Sequence, residues 1–391
     1  MGWFENLCRL LGIERGLVNV TAGNVISSLI GAVFWLLLAS LMTVEAYGKL
    51  NYDLSIAITA STLSLMGLNV TVMTYLPKGD ENIKHQANLL VLITNCIIFV
   101  ALFWFTNNIP VAILLFGMSF FTMAQAEILG KSNFKKYSYL VIGQRLVLVP
   151  ASLSLYYVMG VDGIITGYGL STLLFSYNFF KSLKRSKLEL KDLKPKFRFT
   201  LHIFSINMLE KVALYVDKLL IGPLFGFGIL GTYQFGFQFL MFLYILPYSL
   251  YQFLLPRESA GISGGRIIIT GMAAAIIFSV AFFVLIPIIV NFSFTHFVES
   301  IQSAQIMIFG VIPMMASNII TARSFGKGKS TPPLIASVTR VITLLSLIFF
   351  LGHLFSITGL AFAVLISLVV QFITLFIMTK LSHDKTKMEK V

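Results

Sequence analysis

The sequence predicts an all-α polytopic membrane protein in which twelve transmembrane helices form two lobes of six. Three observations lead to this fold class. Of the 391 residues, 57% are hydrophobic and only 12% are charged, about half the charged fraction of an average soluble domain. Apolar runs long enough to cross a hydrocarbon core of about 30 Å recur from end to end. Finally, Lys and Arg collect in every second polar segment, as expected for a polytopic protein.

Twelve apolar runs, separated by short polar turns, are the predicted membrane spans. Each is close to the roughly 20 residues that a helix needs to cross a bilayer. The charged stretch 181–198 separates the first six runs from the last six. The predicted spans are 17–43, 52–76, 86–107, 109–129, 137–159, 163–181, 200–224, 233–255, 267–292, 301–322, 332–352 and 356–379.

This pattern predicts five regions along the chain. Residues 1–16 place apolar side chains at helical spacing and predict a short interfacial helix. The N-lobe then covers 17–181 and the C-lobe covers 200–380. A basic cytoplasmic linker, 182–199, joins the lobes, and a cytoplasmic tail, 381–391, ends the chain.

The distribution of cations predicts the orientation in the membrane. If both termini are cytoplasmic, 24 of the 29 Lys and Arg residues fall in cytoplasmic segments and only Lys49 falls in an outer loop. The remaining four lie inside spans. The positive-inside rule favours this orientation. The net charge of +13 is therefore mainly a topology signal, and its dispersion over seven segments disfavours nucleic-acid binding.

Short loops and scarce cysteines exclude several classes of protein. The predicted outer loops are about ten residues or shorter, which disfavours an enzyme with an external catalytic domain. Cys8 and Cys96 predict neither a disulfide framework nor a metal site. The run 326–331, Gly-Lys-Gly-Lys-Ser-Thr, ends like a phosphate-binding loop, but the first glycine of that motif is replaced by Arg323. We interpret it as a basic cytoplasmic turn.

Weak similarity between the two halves predicts an internal repeat. Because both halves have six predicted spans and start on the same side, the repeats would be parallel, with the substrate path between them. Such a repeat places Arg145 and Arg340 at matching depths on opposite walls. The matching segments are 123–132 with 315–324, 144–147 with 339–342, and Gly163 and Ser171 with Gly359 and Ser367.

The predicted seventh span carries four charges, Glu210, Lys211, Asp217 and Lys218. A charge at a helix centre costs about 2.5–3.5 kcal/mol, whereas each large apolar residue returns only about 0.3–0.6 kcal/mol. The helix is therefore predicted to face other helices or water rather than lipid. Two interpretations remain open. The charges form structural ion pairs, or they line a wet cavity with a functional role.

Arg145 and Arg340 are isolated in otherwise apolar spans. Together with Lys211 and Lys218 they would make a cavity with net positive charge, which suits an anionic ligand. Arginine suits phosphate in particular because its planar fork binds two oxygens at once. In the first span, Asn19 and Asn24 belong to a polar flank that either lines the same cavity or bonds to neighbouring helices.

Several short motifs resemble those of the polysaccharide-biosynthesis flippases, the O-antigen-type flippases of lipid-linked oligosaccharides. This family belongs to the multidrug/oligosaccharidyl-lipid/polysaccharide exporter superfamily, which includes the MATE multidrug exporters. The motifs occur in the family's order over most of the chain. They are Tyr47-Gly48, Gly67-Leu68, Tyr75-Leu76-Pro77, Asp217 with Ile221-Gly222, Gly231-Thr232-Tyr233, and Leu255-Pro256.

The resemblance implies a MATE-like fold with two six-helix lobes around a cationic cavity. It implies a non-enzymatic flippase in the cytoplasmic (inner) membrane that moves a polyprenyl-phosphate- or pyrophosphate-linked oligosaccharide to the outer leaflet by alternating access. On the basis of their charge and depth, not of a family motif, Arg145, Arg340, Lys211 and Lys218 are the candidates for binding the phosphates. Glu210 and Asp217 would couple transport to Na⁺ or H⁺, or pair with the cations. No cofactor is expected. The expected partners are the lipid-linked sugar, membrane lipids and glycan-assembly enzymes, and the expected state is a monomer.

Three other functions compete with the flippase. A MATE-type multidrug or cation antiporter would need an acid-lined cavity, whereas here the cations inside the spans outnumber the acids. A membrane glycosyltransferase or ligase acting on lipid-linked sugars would need acidic residues on an external loop, where only Glu45, Asp162 and Glu299 are available. A structural membrane protein would have no use for charged spans.

Overall fold

The structure is a computed structural model in which all the regular elements that can be described are helices. The predicted interfacial helix lies almost wholly outside the described residues, as do residues 185–192 of the predicted linker. Inside the described helices, the side chains of Asn19 and Glu210 are among those that are not described. The described residues are 15–184, 193–259, 265–326 and 329–388.

The α-helices are numbered here in chain order. Three single-turn 3₁₀ helices, Leu76–Lys78, Lys194–Lys196 and Thr295–Phe297, lie between them. The α-helices are α1 (Arg15–Leu41), α2 (Val44–Leu65), α3 (Leu68–Tyr75), α4 (Ile83–Thr106), α5 (Ile109–Gly130), α6 (Phe134–Met159), α7 (Val161–Leu174), α8 (Tyr177–Leu183), α9 (Phe197–Phe225), α10 (Phe227–Leu243), α11 (Ile245–Ser259), α12 (Gly265–Ser293), α13 (Ser300–Ile308), α14 (Val311–Gly326) and α15 (Thr331–Met388).

The described part of the chain contains eight helical stretches that are long and apolar enough to cross a membrane. A ninth is added if α2 and α3, which are bent by 49° at their junction, form one span. One of the eight, Thr331–Leu381, has 51 residues, and a continuous helix of that length would extend about 76 Å. A break at Ser356 divides it into two parts, each long enough for one span. The protein is a multi-pass membrane protein, and the number twelve remains a prediction.

Two predicted spans differ from simple apolar helices. The predicted seventh span corresponds to α9, which has 29 residues but carries charged side chains in its interior. The predicted sixth span is divided into α7, with 14 residues, and α8, with 7.

Contacts divide the chain into two compact units. Unit 1 comprises 1–38 and 53–211, and unit 2 comprises 39–52 and 212–391. The division falls inside α9 and assigns the end of α1 and the start of α2 to unit 2. The lobe boundaries expected from the sequence, 17–181 and 200–380, remain a prediction.

Unit 1 has a core in which apolar side chains of α3, α4, α5 and α8 meet. At its centre the rings of Phe120 and Phe179 stack with centroids 4.1 Å apart. Close approach of α5 and α7 depends on Gly117, because a Cβ there would lie 2.6 Å from the carbonyl oxygen of Gly169. Such contacts make this a closely packed bundle that holds α6 and α7 in place.

In unit 2, two glycines of the flippase-like motifs lie where α2 crosses α10. A Cβ on Gly48 would lie 1.9 Å from the carbonyl oxygen of Phe227, and a Cβ on Gly231 would lie 1.9 Å from that of Val44. Neither position accepts a side chain without backbone movement. Beside the crossing, Tyr47 is buried and packs edge-on against Phe297 at 5.5 Å. The crossing fixes α10, which contributes to the site described below.

The local geometry of the two halves repeats at an offset of 196 residues. Gly160, between α6 and α7, has φ 61° and ψ −136°, and Ser356 has φ 50° and ψ −130°. Three residues after each lies a glycine, Gly163 or Gly359. A Cβ on either would lie 2.1 or 1.9 Å from the carbonyl oxygen eight residues earlier. The two helical hairpins therefore turn in the same way, as the predicted repeat requires.

Counting residues from this turn shifts the predicted match of Arg145 with Arg340 by one residue. Counted back from the turn, Arg340 corresponds to Gln144, and Arg145 lies one residue further on. Gln144 is buried inside unit 1, and its Nε2 donates to the Ser171 hydroxyl at 3.0 Å. One residue of helix is about 1.5 Å of depth but about 100° of rotation. By this count the two arginines occupy neighbouring, not identical, positions of the repeated helix, and these positions lie on different faces of it.

The repeat also predicts a stabilising substitution. Ser356 adopts a left-handed conformation that its counterpart, Gly160, adopts without steric cost. We expect Ser356→Gly to raise the free energy of unfolding by about 1 kcal/mol and Gly160→Ser to lower it by a similar amount. Thermal unfolding of the purified protein in detergent measures both. Ser346→Gly, the same change inside regular helix, should be destabilising. A lower melting temperature for Ser356→Gly would contradict the prediction.

Candidate functional site

The middle of α9 contains a buried ion pair between neighbouring residues. The Nζ of Lys218 donates to both carboxylate oxygens of Asp217, at 2.9 Å each, and to the carbonyl oxygen of Leu214 at 2.8 Å. Asp217 is 2% exposed and Lys218 is 3% exposed. The long lysine side chain bends back along its own helix, which brings two oppositely charged neighbours together.

Helix α10 supplies two further partners of this pair. The Tyr233 hydroxyl donates to Oδ2 of Asp217 at 2.5 Å. The Lys218 ammonium also lies 4.3 Å from the centroid of the Phe237 ring, close enough for a cation–π interaction. Tyr233 is fully buried. The charges and hydrogen bonds of the pair are satisfied inside unit 2. The structure therefore favours the interpretation that Asp217 and Lys218 form a structural ion pair over the interpretation that they line a cavity.

Arg340 lies close to this pair but is not part of it. It is partly buried, nine residues after the start of α15, or about 13 Å along the helix. Its guanidinium interacts electrostatically with Asp217, Tyr233 and Tyr244. Its Nε is buried and has no hydrogen-bond partner among the described residues. Since Asp217 is paired with Lys218, the three charged groups have a net charge of +1 when all are ionised.

Arg145 has an uncharged environment in unit 1. It lies eleven residues after the start of α6 and is partly buried. Its Nη1 donates to the Tyr168 hydroxyl at 3.4 Å, and its Cζ lies 5.6 Å from the centroid of the Tyr168 ring. A Cβ on Gly31 of α1 would lie 3.9 Å from the guanidinium. Among the described side chains, no carboxylate forms an ion pair with Arg145.

The structure gives fewer contacts for the other predicted site residues. Lys211 is partly buried at the end of unit 1 and has interacting partners. Asn24 is exposed on α1 and accepts a hydrogen bond from the Tyr137 hydroxyl at 3.0 Å. The side chains of Asn19 and Glu210 lie outside the described ones. The roles proposed for these residues remain predictions.

Two tyrosines that contact the charged groups are absent from the sequence-based site. Tyr233 belongs to the Gly231-Thr232-Tyr233 motif, so the resemblance contained a signal for it. Tyr168 follows Gly167 in α7, and the only sequence signal for its role was its position in an apolar span. Each tyrosine gives one charged group a hydroxyl partner at membrane depth. Among the described residues, no three His, Cys, Asp or Glu side chains cluster closely enough to hold a metal ion.

A polytopic helical protein with charged groups at membrane depth has the architecture of a membrane transporter. Comparison with known families shows which family the chain belongs to. Residues 13–260 match the family described as polysaccharide biosynthesis protein. This is more than half of the chain, so the protein belongs to this family, and the resemblance of its motifs is confirmed. No curated protein matches it significantly.

Solved structures of the MOP superfamily have the same fold. An inward-facing MATE multidrug-resistance transporter aligns with a TM-score of 0.74 at 13% identity, covering 97% of this chain and all of its own. The lipid II flippase MurJ in an inward closed state aligns with a TM-score of 0.69 at 14% identity, covering 93% of this chain and 87% of its own.

A third neighbour is a MOP superfamily transporter from Pyrococcus furiosus, described as having a binding pocket of reversed polarity that suggests a different function. It aligns with a TM-score of 0.63 at 12% identity, covering 95% of this chain and 96% of its own. The predicted MATE-like fold is thereby confirmed. The protein therefore belongs to the polysaccharide biosynthesis family and has the fold of MOP superfamily transporters.

Proposed function

We propose that the protein is a flippase that moves a polyprenyl-phosphate- or pyrophosphate-linked oligosaccharide from the cytoplasmic to the outer leaflet. Membership of the polysaccharide biosynthesis family supports a substrate that carries a sugar. The likeness to a lipid II flippase supports this mode of transport, since that protein moves a lipid-linked substrate. Transport would proceed by alternating access in the cytoplasmic membrane, with both termini inside the cell.

The observation that carries the proposal is the excess of cations at membrane depth. Arg145 contacts only a tyrosine hydroxyl among its described polar partners, and Arg340 lies beside a carboxylate already neutralised by Lys218. A guanidinium without a counter-charge is costly inside a membrane. Phosphate oxygens supply both the charge and the acceptors that a guanidinium fork needs. Each half of the repeat thus offers one group suited to a phosphorylated lipid.

The proposal extends to the coupling of transport to an ion and to the partners of the transporter. Asp217 is held by Lys218 and Tyr233, which favours a pairing role for it, so Glu210 is the better candidate for coupling to Na⁺ or H⁺. The transporter would act as a monomer beside the enzymes that build and polymerise the glycan. A cation antiporter of the MATE type would need carboxylates available to a cationic substrate, whereas the site described above is cationic.

Binding selectivity tests the proposal. The purified protein is titrated with a polyprenyl-pyrophosphate sugar, with the same lipid lacking phosphate, and with a cationic dye. We expect tight binding of the pyrophosphate lipid alone, with competition by other polyprenyl phosphates, because the guanidinium groups recognise phosphate. Preferential binding of the dye would support the antiporter instead and overturn the proposal.

A further inference from the structure

An apolar groove of about 640 Å³ lies at one end of unit 2, among α12, α14 and both parts of α15. Met272 of α12, Ile319 of α14, and Phe372 and Phe376 of α15 contribute its apolar walls. A groove of this composition between transmembrane helices fits hydrocarbon chains. It lies within unit 2 and shares no lining residue with the Asp217–Lys218 pair or with Arg340.

Three cations line the same groove. Arg323 comes from the end of α14, Lys329 from the turn that follows, and Lys380 from near the end of α15. Arg323 is 44% exposed, and its Nε donates to Glu258 at 3.3 Å, which leaves the other four N–H donors of the guanidinium for a further acceptor. No described lining residue is acidic. The groove therefore combines an apolar floor with a positively charged rim.

One buried hydroxyl in the lining has no hydrogen-bond partner in the part of the chain that the structure describes. Ser324 is 3% exposed, and its Oγ forms no hydrogen bond with any described residue. Leaving a buried hydroxyl unsatisfied is unfavourable, and an oxygen acceptor in the groove would satisfy it. Helix α15 begins at Thr331, beside Lys329, and the partial positive charge of a helix N-terminus favours an anion there.

We propose that this groove binds an anionic diacyl phospholipid of the surrounding membrane. The headgroup phosphate would lie between Arg323, Lys329 and Lys380 and would accept a hydrogen bond from Ser324, and the acyl chains would lie along the apolar walls. Basic pockets between transmembrane helices bind anionic headgroups in this way. The predicted orientation places the site in the cytoplasmic leaflet. The inference does not depend on which substrate the protein transports.

Native mass spectrometry of the full-length protein tests the proposal. The probes are phosphatidylglycerol, phosphatidylcholine with the same chains, and inorganic phosphate. We expect a clear preference for phosphatidylglycerol, and we expect Arg323→Gln/Lys380→Gln to weaken its binding on the order of thirtyfold. Met272→Trp fills the groove but keeps every charge, and it should also reduce binding. Lys135→Gln/Lys136→Gln removes two exposed cations from the start of α6 in unit 1 and should have no effect.

The charge variant removes two cations, whereas Met272→Trp fills the apolar groove. Either variant alone can therefore test the proposal. Thermal unfolding shows whether each variant is folded. Unchanged phosphatidylglycerol binding in the folded charge variant would overturn the proposal. Displacement of the lipid by inorganic phosphate would also overturn the proposal, and so would unchanged phosphatidylglycerol binding in folded Met272→Trp. Either result would indicate a site for free phosphate. Equal binding of phosphatidylcholine would show that the cations play no part, and it too would overturn the proposal.

Discussion

Replacing Asp217 with alanine is expected to lower the free energy of unfolding by about 3–5 kcal/mol, because the substitution leaves the Lys218 ammonium buried without its carboxylate. Arg340 loses an attractive interaction at the same time. Tyr233→Phe, which removes one hydrogen bond to the carboxylate, should cost about 1.5–3 kcal/mol. Thermal or denaturant-induced unfolding of the purified variants in detergent measures each effect.

A double variant separates pairing from coupling. Asp217→Asn/Lys218→Met removes both charges and keeps the side-chain volumes nearly unchanged, so its stability should lie close to that of the wild type. If Asp217→Ala unfolds like the wild type but uncouples transport from an ion gradient, the carboxylate is a coupling group. That outcome would contradict the structural role assigned to the pair.

Substitution of the two arginines is expected to have the largest effect on substrate binding. A hydrogen bond to a charged group contributes about 1.5–3 kcal/mol. Arg145→Ala and Arg340→Ala should therefore each weaken binding of a polyprenyl-pyrophosphate sugar by about 10- to 100-fold. Arg340→Lys keeps the charge but loses the planar fork, so its affinity should lie between those of the wild type and the alanine variant. Equilibrium binding in detergent measures all three.

Lys135→Ala is the control for loss of one positive charge, since this residue is exposed at the start of α6. It should bind the substrate as the wild type does. Normal affinity in both arginine variants, with unfolding temperatures lowered instead, would assign the arginines a structural role and contradict the site.

Much of the fold could be predicted because long apolar runs and the distribution of cations directly reflect the bilayer. The predicted fifth span, 137–159, lies within α6, which begins at Phe134 and ends at Met159. The predicted second span, 52–76, missed a break. Met66 and Gly67 both have positive φ, at 47° and 77°, and they end α2 before α3 begins. Hydropathy does not register a turn that leaves the composition unchanged.

The site was less predictable from the sequence, because ion pairing depends on side-chain conformation. A count of residues per turn places Asp217 and Lys218 on adjacent faces of α9, whereas the flexible lysine reaches its neighbour and the carbonyl oxygen of Leu214. The same limit applies to the repeat. The similarity of short segments pairs Arg145 with Arg340, whereas a residue count from the backbone turns at Gly160 and Ser356 shifts the match by one residue.

Transport in proteoliposomes tests the central claim most directly. A polyprenyl-pyrophosphate sugar is placed in the inner leaflet, and its accessibility to an external reagent is followed over time. The account predicts that the wild type exposes the sugar much faster than protein-free liposomes do, and that Arg145→Ala/Arg340→Ala falls to the protein-free rate while remaining folded. A wild-type protein that exports a cationic dye but leaves the lipid-linked sugar in the inner leaflet would contradict it.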